Sequence, residues 1–258
     1  MKNKIFDFIH SVGIEKCAVT SYDGKCAIVC LFPYFCGYED GNLSLYARSL
    51  DYHLVIKEKL SGVTEFIKTI SPDVTCEIFA DIGPEIDRHL AYKSGLGFYG
   101  KNGMLINDDF GSYFFIGYIL TDLSLPEDKP LEKSCIGCNK CIDACVGGAL
   151  SDGFCLEKCA SHISQKKGEL TESEISILKK SNLIFGCDMC QRVCPHNDIT
   201  PRPMKEFTED MIDILERKDI ENLSNKEFLS KYKNRAFSWR GKNVLLRNID
   251  ILESVKRK

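Results

Sequence analysis

Two cysteine-rich stretches decide the fold of the second half of this chain: CIGCNKCIDAC at residues 135–145 and CDMCQRVCP at residues 187–195. The first has the spacing C-x2-C-x2-C-x3-C of a bacterial ferredoxin run. The second is shorter, and Cys159 lies between the two. Three thiolates separated by two residues each can wrap one face of an iron–sulfur cubane, so the fourth ligand must come from elsewhere. The pattern predicts two [4Fe–4S] clusters.

Crossed ligation completes both predicted clusters. In two-cluster ferredoxins the fourth cysteine of each run ligates the other cluster. The predicted ligands are Cys135, Cys138, Cys141 and Cys194 for one cluster, and Cys187, Cys190, Cys159 and Cys145 for the other. Zinc sites and disulfides are the alternatives. Zinc favours paired C-x2-C units at longer separation, and the triple run has no use in a tetrahedral site.

Six further cysteines are left over. Cys155 precedes Cys159 by four residues and is an alternative ligand on spacing alone. The others are predicted to pack as small buried hydrophobes: Cys17, Cys26, Cys30, Cys36 and Cys76. Val146 stands where a proline usually follows the first run, which affects the turn and not the ligands. His196 is not expected to be a ligand, because eight thiolates saturate two clusters.

Composition is that of an ordinary globular protein. The 258 residues include 14 cysteines, are 44% hydrophobic and 28% charged, and carry a formal charge of −3, which neither favours nor excludes nucleic acid. The first twenty residues contain no signal-peptide core, and no apolar stretch is long enough for a bilayer crossing. We therefore predict a cytoplasmic chain with no membrane association, in which cysteines are metal ligands rather than disulfides.

Hydrophobic periodicity in the first half predicts a mixed α/β fold. Helices are expected at 1–16, at 46–70 with a possible break at Gly62, and from Pro84 to a C-terminal Gly95. Strands are expected at 17–20, 25–33, 75–80, 103–107 and 112–121, the last two forming a hairpin that turns at 108–111. This order predicts an α/β sandwich around one sheet. Phe114 and Phe115 are expected to alternate across the last strand.

Three segments are predicted: an α/β domain at 1–130, a ferredoxin-like two-cluster domain at 131–203, and C-terminal helices at 204–258. The last segment ends in the basic run 256–258. It contains Arg235, Trp239, Arg240, Lys242 and Arg247, a mixture suited to phosphate contact and base stacking. An ordinary amphipathic helix is the favoured interpretation for most of them, with an apolar face formed by Val244, Leu245, Ile249 and Leu252.

The glycine-rich segment GLGFYGKNG at residues 95–103 follows the predicted third helix. Glycine permits close backbone approach and positive φ, which suits the edge of a cofactor. A helix C-cap followed by a turn is the simpler interpretation. The segment is not a phosphate loop, because it lacks the GK[ST] ending.

Several segments resemble one known family in the same order along the chain. They are YARSLDYH (46–53), DIGPEIDRHLAYKSGLGFYGKNGMLIN (81–107), GSYFFIGYILTDL (111–123), the first cysteine run, IFGCDMCQRVCPHN (184–197) and LLRN (245–248). This is the pattern of epoxyqueuosine reductases, which resemble reductive dehalogenases in pairing a cobalamin-binding α/β domain with two [4Fe–4S] clusters. Two departures are a short segment between Pro33 and Tyr46 and an end soon after LLRN, where family members continue into a helical-repeat domain.

The resemblance implies a reductase that removes the epoxide oxygen of epoxyqueuosine in tRNA, with cobalamin and two [4Fe–4S] clusters as cofactors. It implies that Asp81 is the proton donor, although its place before a helix also suits a capping role. The implied corrinoid contacts are Arg88, Gly97, Gly100, Lys101, Asn102, Leu105, Ser112, Tyr46, Arg48 and His53. Arg48 and Tyr52 are expected to share a helix face.

Two other functions fit the same sequence. The first is a corrinoid and iron–sulfur reductase of a small molecule, which a short form without the repeat domain permits. The second is a non-catalytic electron carrier that has lost the corrinoid, against which Asp81 and the glycine segment speak. The expected partners are tRNA and an external low-potential electron donor, and the chain is expected to be a monomer.

Overall fold

The structure, a computed structural model, describes residues 1–256, with side chains through Ser254. Arg257 and Lys258, the end of the predicted basic run, lie outside the described residues. The chain divides into two compact units. The first unit comprises 1–36, 52–136 and 198–206, and the second comprises 37–51, 137–197 and 207–258. Among the described residues, no helix has the length and apolar character needed to cross a bilayer.

The first unit is built on a four-stranded antiparallel sheet, in which the strands at 16–22, 25–33, 114–121 and 76–80 lie side by side in that order. A separate two-stranded sheet pairs residues 98–99 with 105–106. The elements are α1 (Lys2–Ser11), β1 (Lys16–Tyr22), β2 (Lys25–Pro33), α2 (Tyr52–Ile70), β3 (Cys76–Ala80), α3 (Asp87–Lys93), β4 (Phe98–Tyr99), β5 (Leu105–Ile106) and β6 (Phe114–Thr121).

Helices cover both faces of the larger sheet. Leu90 and Ala91 of α3 pack with alternate residues of β2 and β6 in one apolar core. On the other face α2 approaches β6 at Gly117, where a Cβ atom would collide with the side chain of Ile56. A glycine inside a strand therefore allows the close packing of a helix. This layering confirms the mixed α/β fold expected for the first half.

Three local predictions are wrong. Helix α2 runs unbroken through Gly62, because the apolar side chains Val55, Leu60 and Val63 bury its face and outweigh the cost of one glycine. Helix α3 begins at Asp87, three residues after Pro84. Strand β5 pairs with β4 rather than with β6, and only the isolated bridge Asn107–Gly111 remains of the expected hairpin.

The second unit is helical in its regular elements. It contains α4 (Lys140–Asp143), α5 (Ala160–Gln165), α6 (Glu172–Ser181), α7 (Met189–Arg192), α8 (Asn225–Tyr232) and α9 (Lys242–Lys256). Its core joins Leu43 and Ala47 to Phe185 and to the apolar face of α9. Val244, Leu245, Ile249 and Leu252 are buried as predicted. Segments from both sides of the cysteine array thus complete one core.

Asn248 of α9 fastens this helix to the segments that carry the cysteines. The side chain is fully buried. Its Nδ2 donates hydrogen bonds to the carbonyl oxygens of Ser164 and Ile184, both at 2.7 Å. Ser164 lies in α5, the helix that follows Cys159, and Ile184 precedes Cys187. Helix α9 therefore supports the backbone next to two cysteines of the predicted second cluster.

Candidate functional site

Asp81 occupies a strained turn at the end of β3. Its φ of 63° lies in the left-handed region, which a non-glycine residue rarely adopts. The amide of Ile82 donates to the carbonyl oxygen of Ala80 at 2.7 Å, so Asp81 is the central residue of a γ-turn with positive φ. Such strain persists where surrounding contacts over-determine it, and it is concentrated at functional sites.

Two side chains from the start of α2 face the Asp81 carboxylate. The Tyr52 hydroxyl donates to Oδ2 at 3.1 Å, and Nε2 of His53 lies 3.8 Å from the same oxygen. The Tyr52 ring stacks on His53 and on Phe115, with centroids 4.0 and 4.2 Å apart. The polar interaction with the nearby His53 ring, followed by the hydrogen bond from Tyr52, lowers the pKa of Asp81 against the opposing effect of burial. With these contacts Asp81 is a carboxylate at neutral pH.

The turn after Asp81 presents large apolar side chains to solvent. Ile82 is 83% exposed and Ile86 is 63% exposed. Tyr99 is also partly exposed, and the charges of Arg88 and Glu85 act on its hydroxyl, so it lies beside this turn. Apolar groups clustered on a surface mark a place where a ligand or partner excludes water. The residues around Asp81 therefore fit a large ligand with an apolar face, such as a corrin ring.

The glycine segment is explained largely by its own packing. Gly95, with φ of 78°, ends α3 in a Schellman motif, in which the Leu96 amide bonds to Ala91 and the Gly95 amide to Tyr92. At Gly97 a Cβ atom would lie 2.6 Å from the carbonyl oxygen of Ile106, and at Gly100 it would lie 2.6 Å from Oδ1 of Asn102. These glycines let β4 and β5 approach closely enough to pair. A cofactor is therefore not required to explain why glycine occurs at these positions.

The other predicted corrinoid contacts in this unit differ in exposure. Arg88 is exposed and donates through Nη1 to the carbonyl oxygen of Gly103, which ties α3 to the glycine segment. Lys101 is exposed, whereas Asn102, Leu105 and Ser112 are buried. Leu105 packs in the sheet core. Arg88 and Lys101 are thus the two whose side chains are open to a ligand.

Tyr46 and Arg48 belong to the second unit. Arg48 is 1% exposed, donates to the carbonyl oxygens of Leu43 and Glu39, and forms an ion pair with Asp213 at 3.0 Å. The expectation that Arg48 shares a helix face with Tyr52 is wrong, because Arg48 follows a 3-10 turn and precedes the start of α2. Its Nε and Nη1 atoms are occupied in holding the 39–48 segment.

Four predicted cluster ligands lie close together in the second unit. Burial, with smaller contributions from the charges of Asp188, Cys159 and Cys145, raises the pKa of the Cys187 thiol to about 11. Burial, with added repulsion from Cys187, Cys159, Cys145 and Cys141, raises the pKa of Cys190 to about 12. A cationic iron centre would offset this burial and repulsion and hold the sulfurs as thiolates. The backbone amide of Ala149 also donates to Cys145 Sγ at 3.2 Å.

The other cysteines differ in their unit and in their burial. Cys135 lies at the end of the first unit, and the other seven predicted ligands belong to the second. Gly137 and Asn139 adopt positive φ, which turns the chain between the first three cysteines. In residues 1–256 no three histidine, cysteine or acidic side chains converge on the position of a single metal ion. Cys26 and Cys30 are buried as expected, and Cys17, Cys36 and Cys76 are only partly buried.

Asp188 is a buried carboxylate that sequence reasoning missed. It lies between Cys187 and Cys190 and is 1% exposed. It accepts hydrogen bonds from the Ser44 hydroxyl and from the Leu45 amide. No sequence pattern relates residues 44 and 188, although an aspartate inside a cysteine run is a weak signal of a structural anion.

The basic residues near the C-terminus have mixed roles. Arg235 is buried, and Arg247 donates to the carbonyl oxygens of Lys166 and Gly168, so both support the fold. Trp239 is 58% exposed, with the Arg240 guanidinium 3.6 Å from its ring centroid. The amphipathic interpretation is confirmed for α9, and Trp239 with Arg240 remains a surface suited to stacking.

The sequence matches two protein families. Residues 134–197 match the 4Fe-4S double cluster binding domain, and residues 24–82 match "Epoxyqueuosine reductase QueG, DUF1730". Epoxyqueuosine reductase of Lactococcus garvieae is 37% identical over 217 residues, covering 82% of this chain and 61% of that protein. That of Leadbetterella byssophila is 36% identical over 218 residues, covering 83% and 70%.

Solved structures of the same kind share the fold. An epoxyqueuosine reductase with a tRNA-Tyr stem loop carrying epoxyqueuosine matches with a TM-score of 0.85 and 26% identity, covering 97% of this chain and 80% of that one. The Bacillus subtilis enzyme, described with its catalytic aspartate loop swung out of the active site, matches with a TM-score of 0.82 and 25% identity over 97% and 80%.

Fold and cysteine array together define an iron–sulfur protein that contains a double [4Fe–4S] binding domain and a mixed α/β unit. The chain belongs to the epoxyqueuosine reductase family. It spans between about half and three fifths of the length of the first curated relatives that it matches, 61% and 53% for two of them.

Proposed function

We propose that this chain reduces epoxyqueuosine to queuosine in tRNA, using cobalamin and two [4Fe–4S] clusters fed by an external low-potential electron donor. Family membership carries the proposal. The presentation of Asp81 on a strained turn supports it, because a catalytic aspartate loop is described for the Bacillus subtilis relative. The tRNA stem loop seen with another relative supports an RNA substrate. We expect a cytoplasmic monomer.

The net reaction consumes two electrons and two protons and releases water. When bound, the clusters supply single electrons and the corrinoid supplies a cobalt centre reducing enough to open an epoxide. The protein must deliver protons to the departing oxygen, because ring opening leaves negative charge there. Asp81 is exposed, which allows its carboxyl group to contact a substrate oxygen.

Asp81 and His53 act as a proton-sharing pair in this proposal. The pKa of Asp81 is lowered, mainly by its interaction with His53, so the proton does not reside on the carboxylate. A ligand that covers Asp81 removes water from it, and desolvation favours the neutral acid. Binding therefore shifts a proton onto Asp81 when the substrate is in place, and His53, 3.8 Å away, supplies it.

The corrinoid would be held by the exposed groups around this turn. Ile82, Ile86 and Tyr99 offer apolar surface, and Arg88 and Lys101 offer positive charge for polar side arms. Gly97, Gly100, Asn102, Leu105 and Ser112 shape the segment beneath them, and His53 faces Asp81. For the clusters, we retain the two crossed ligand sets inferred from the cysteine spacing. The interactions of Cys190 with Cys187, Cys159 and Cys145 support the second set, and its interaction with Cys141 brings a ligand of the first set near it.

The test is anaerobic reconstitution with iron, sulfide and cobalamin, followed by turnover of a tRNA stem loop containing epoxyqueuosine. Asp81→Asn should retain the iron and the corrinoid and lose about 100-fold or more in kcat, the usual contribution of a positioned acid. Asp73→Asn, an exposed aspartate in the turn before β3, is the control and should be fully active.

Three results contradict the proposal in different ways. Undiminished turnover by the Asp81→Asn variant removes Asp81 from the mechanism. Corrinoid binding without any turnover of the RNA favours reduction of a small molecule. Intact clusters without corrinoid binding favour an electron carrier.

A further inference from the structure

Asp87 is the residue that holds the Asp81 turn in place. Its Oδ2 accepts a hydrogen bond from the Asp81 backbone amide at 2.6 Å, across six residues. This contact fixes the peptide that precedes the strained φ of Asp81. Left-handed φ costs an aspartate of the order of 1 kcal/mol or more, so the conformation needs an external contact of this kind.

The second oxygen of Asp87 is unusual. Oδ1 is buried and has no hydrogen-bond partner within the described chain. Buried carboxylate oxygens are normally satisfied, and one that is not raises the free energy of the charged form. Burial, with a contribution from the charge of Asp81, raises the pKa of Asp87 to about 6. The pKa values of Asp81 and Asp87 are therefore shifted in opposite directions.

The charged and titratable groups around Asp87 come from each element packed against it. Asp81 faces it from the turn after β3, Arg88 from its own helix, and Tyr118 from β6. Glu85 lies between them and binds the Tyr118 hydroxyl through its carbonyl oxygen, at 3.4 Å. Of these groups only Arg88 stabilises the carboxylate, and it also interacts with Asp81.

We infer that Asp87 is a positioning residue that latches the Asp81 turn through the Asp81 amide, and that the latch loosens when Asp87 takes up a proton. This role rests on the proposed function only in so far as Asp81 is the proton donor. A carboxylate is a stronger acceptor than a carboxylic acid. Above about pH 6 the turn is held, and below it the acceptor weakens and Asp81 loses its orientation.

A simpler role for Asp87 is an acidic residue in the first turn of α3, stabilised by the helix dipole. That role depends on charge and requires no contact with Asp81. Asparagine removes the charge and keeps an oxygen that can accept the Asp81 amide, whereas alanine removes both. The two substitutions therefore separate a latch from a helix-end charge.

The experiment compares Asp87→Ala, Asp87→Asn and the control Glu85→Ala in the reconstituted protein. Glu85 lies in the same turn, and its carboxylate accepts the amide of Ile86, at 2.7 Å, rather than that of Asp81. Hydrogen exchange of the Asp81 amide is measured by mass spectrometry, and kcat and KM for the modified tRNA stem loop are measured across the pH range around 6. Iron and corrinoid content report on folding.

The latch predicts that Asp87→Ala speeds exchange of the Asp81 amide about 10-fold and lowers kcat by a similar factor with KM unchanged. Asp87→Asn should stay within about 3-fold of the parent chain in both. It should also abolish the fall in kcat, of no more than about 3-fold, that the parent shows as pH drops through about 6. Glu85→Ala should match the parent throughout.

Unchanged exchange in Asp87→Ala would overturn the latch, and so would equal losses in the alanine and asparagine variants. If Asp87→Ala does not fold, the pH profile of Asp87→Asn decides alone, and a profile identical to that of the parent overturns the proposal. Full activity of Asp81→Asn would instead refute the proposed function. The exchange measurement would still test the latch in that case, because it does not depend on turnover.

Discussion

The backbone amide of Leu45 donates a hydrogen bond to the buried carboxylate of Asp188 at 3.0 Å, 143 residues further along the chain. The neighbouring Ser44 hydroxyl bonds to the other carboxylate oxygen. Asp188 lies between two predicted ligands of the second cluster, Cys187 and Cys190. The contact therefore ties the backbone of the second cysteine run to a segment that precedes α2 in the sequence.

Asp188→Ala is expected to disturb the second cluster selectively. Removing the carboxylate leaves the Leu45 amide buried and unpaired, which costs about 1–3 kcal/mol and frees the 187–190 loop. Iron content should fall from about eight per chain toward about four. Asp143→Ala, an exposed aspartate inside the first run, is the matched control and should keep all eight. Full iron content in Asp188→Ala would show that the loop holds its shape unaided.

Crossed ligation can be tested by single cysteine substitutions. Cys194→Ala should impair the cluster predicted to be held by Cys135, Cys138 and Cys141, although Cys194 belongs to the other run. Cys145→Ala should impair the other cluster. Electron paramagnetic resonance of the reduced protein distinguishes the two losses, and Cys155→Ala should change neither signal. Loss of both signals to the same extent in Cys194→Ala and Cys145→Ala would refute the assignment.

Gly186→Ala is expected to destabilise the second unit. Gly186 has φ of 77°, and a Cβ atom there would collide with the side chain of Ser44. Strain and overlap together should lower the free energy of unfolding by about 2–4 kcal/mol. Gly168→Ala is the control, because its φ of 81° is similar and no atom lies within 4 Å of the added carbon. Its cost should be near 1 kcal/mol. Equal melting temperatures would disprove the overlap.

The raised pKa of Asp87 predicts a pH-dependent stability. Its folded-state pKa of about 6 lies above the ordinary value of 3.8, so folding favours the protonated form. The associated stability is present below the ordinary pKa and is lost as pH rises through about 6. Asparagine at position 87 does not titrate, so the free energy of unfolding of Asp87→Asn should rise relative to that of the parent between acidic pH and pH 8. The expected rise is about 1 kcal/mol, because partial exposure of Asp87 weakens the effect. Urea unfolding at both pH values measures the difference, which should be absent for Glu85→Gln.

Short-range features were the ones that sequence could predict. The spacing of Cys135, Cys138 and Cys141 reflects the reach of a loop around a cubane. The short, apolar and partly β-branched run at 25–33 predicted a strand, and the structure has β2 there, buried along nearly its whole length. Gly95 ends α3 as expected, because a left-handed C-cap is a local requirement. Asp81 was singled out by family resemblance, and its γ-turn could not be seen in the sequence.

Long-range pairing accounts for what the sequence did not show. The bond from Leu45 to Asp188 and the contact between Asp81 and Asp87 depend on tertiary placement, which no periodicity encodes. The pairing of β5 with β4 rather than β6 is decided by where the glycine segment lets the chain turn. Gly62 is tolerated because the rest of α2 is well buried, an effect of packing that outweighs propensity.

The position of α9 also sets the order in which the second unit is completed. The ribosome synthesises 37–51 early and 137–197 later, yet the Asn248 bonds to Ser164 and Ile184 form only after α9 has been made. Until then the segments on either side of the predicted second cluster lack these two bonds. We therefore expect the second unit to reach its final packing only after α9 has been synthesised.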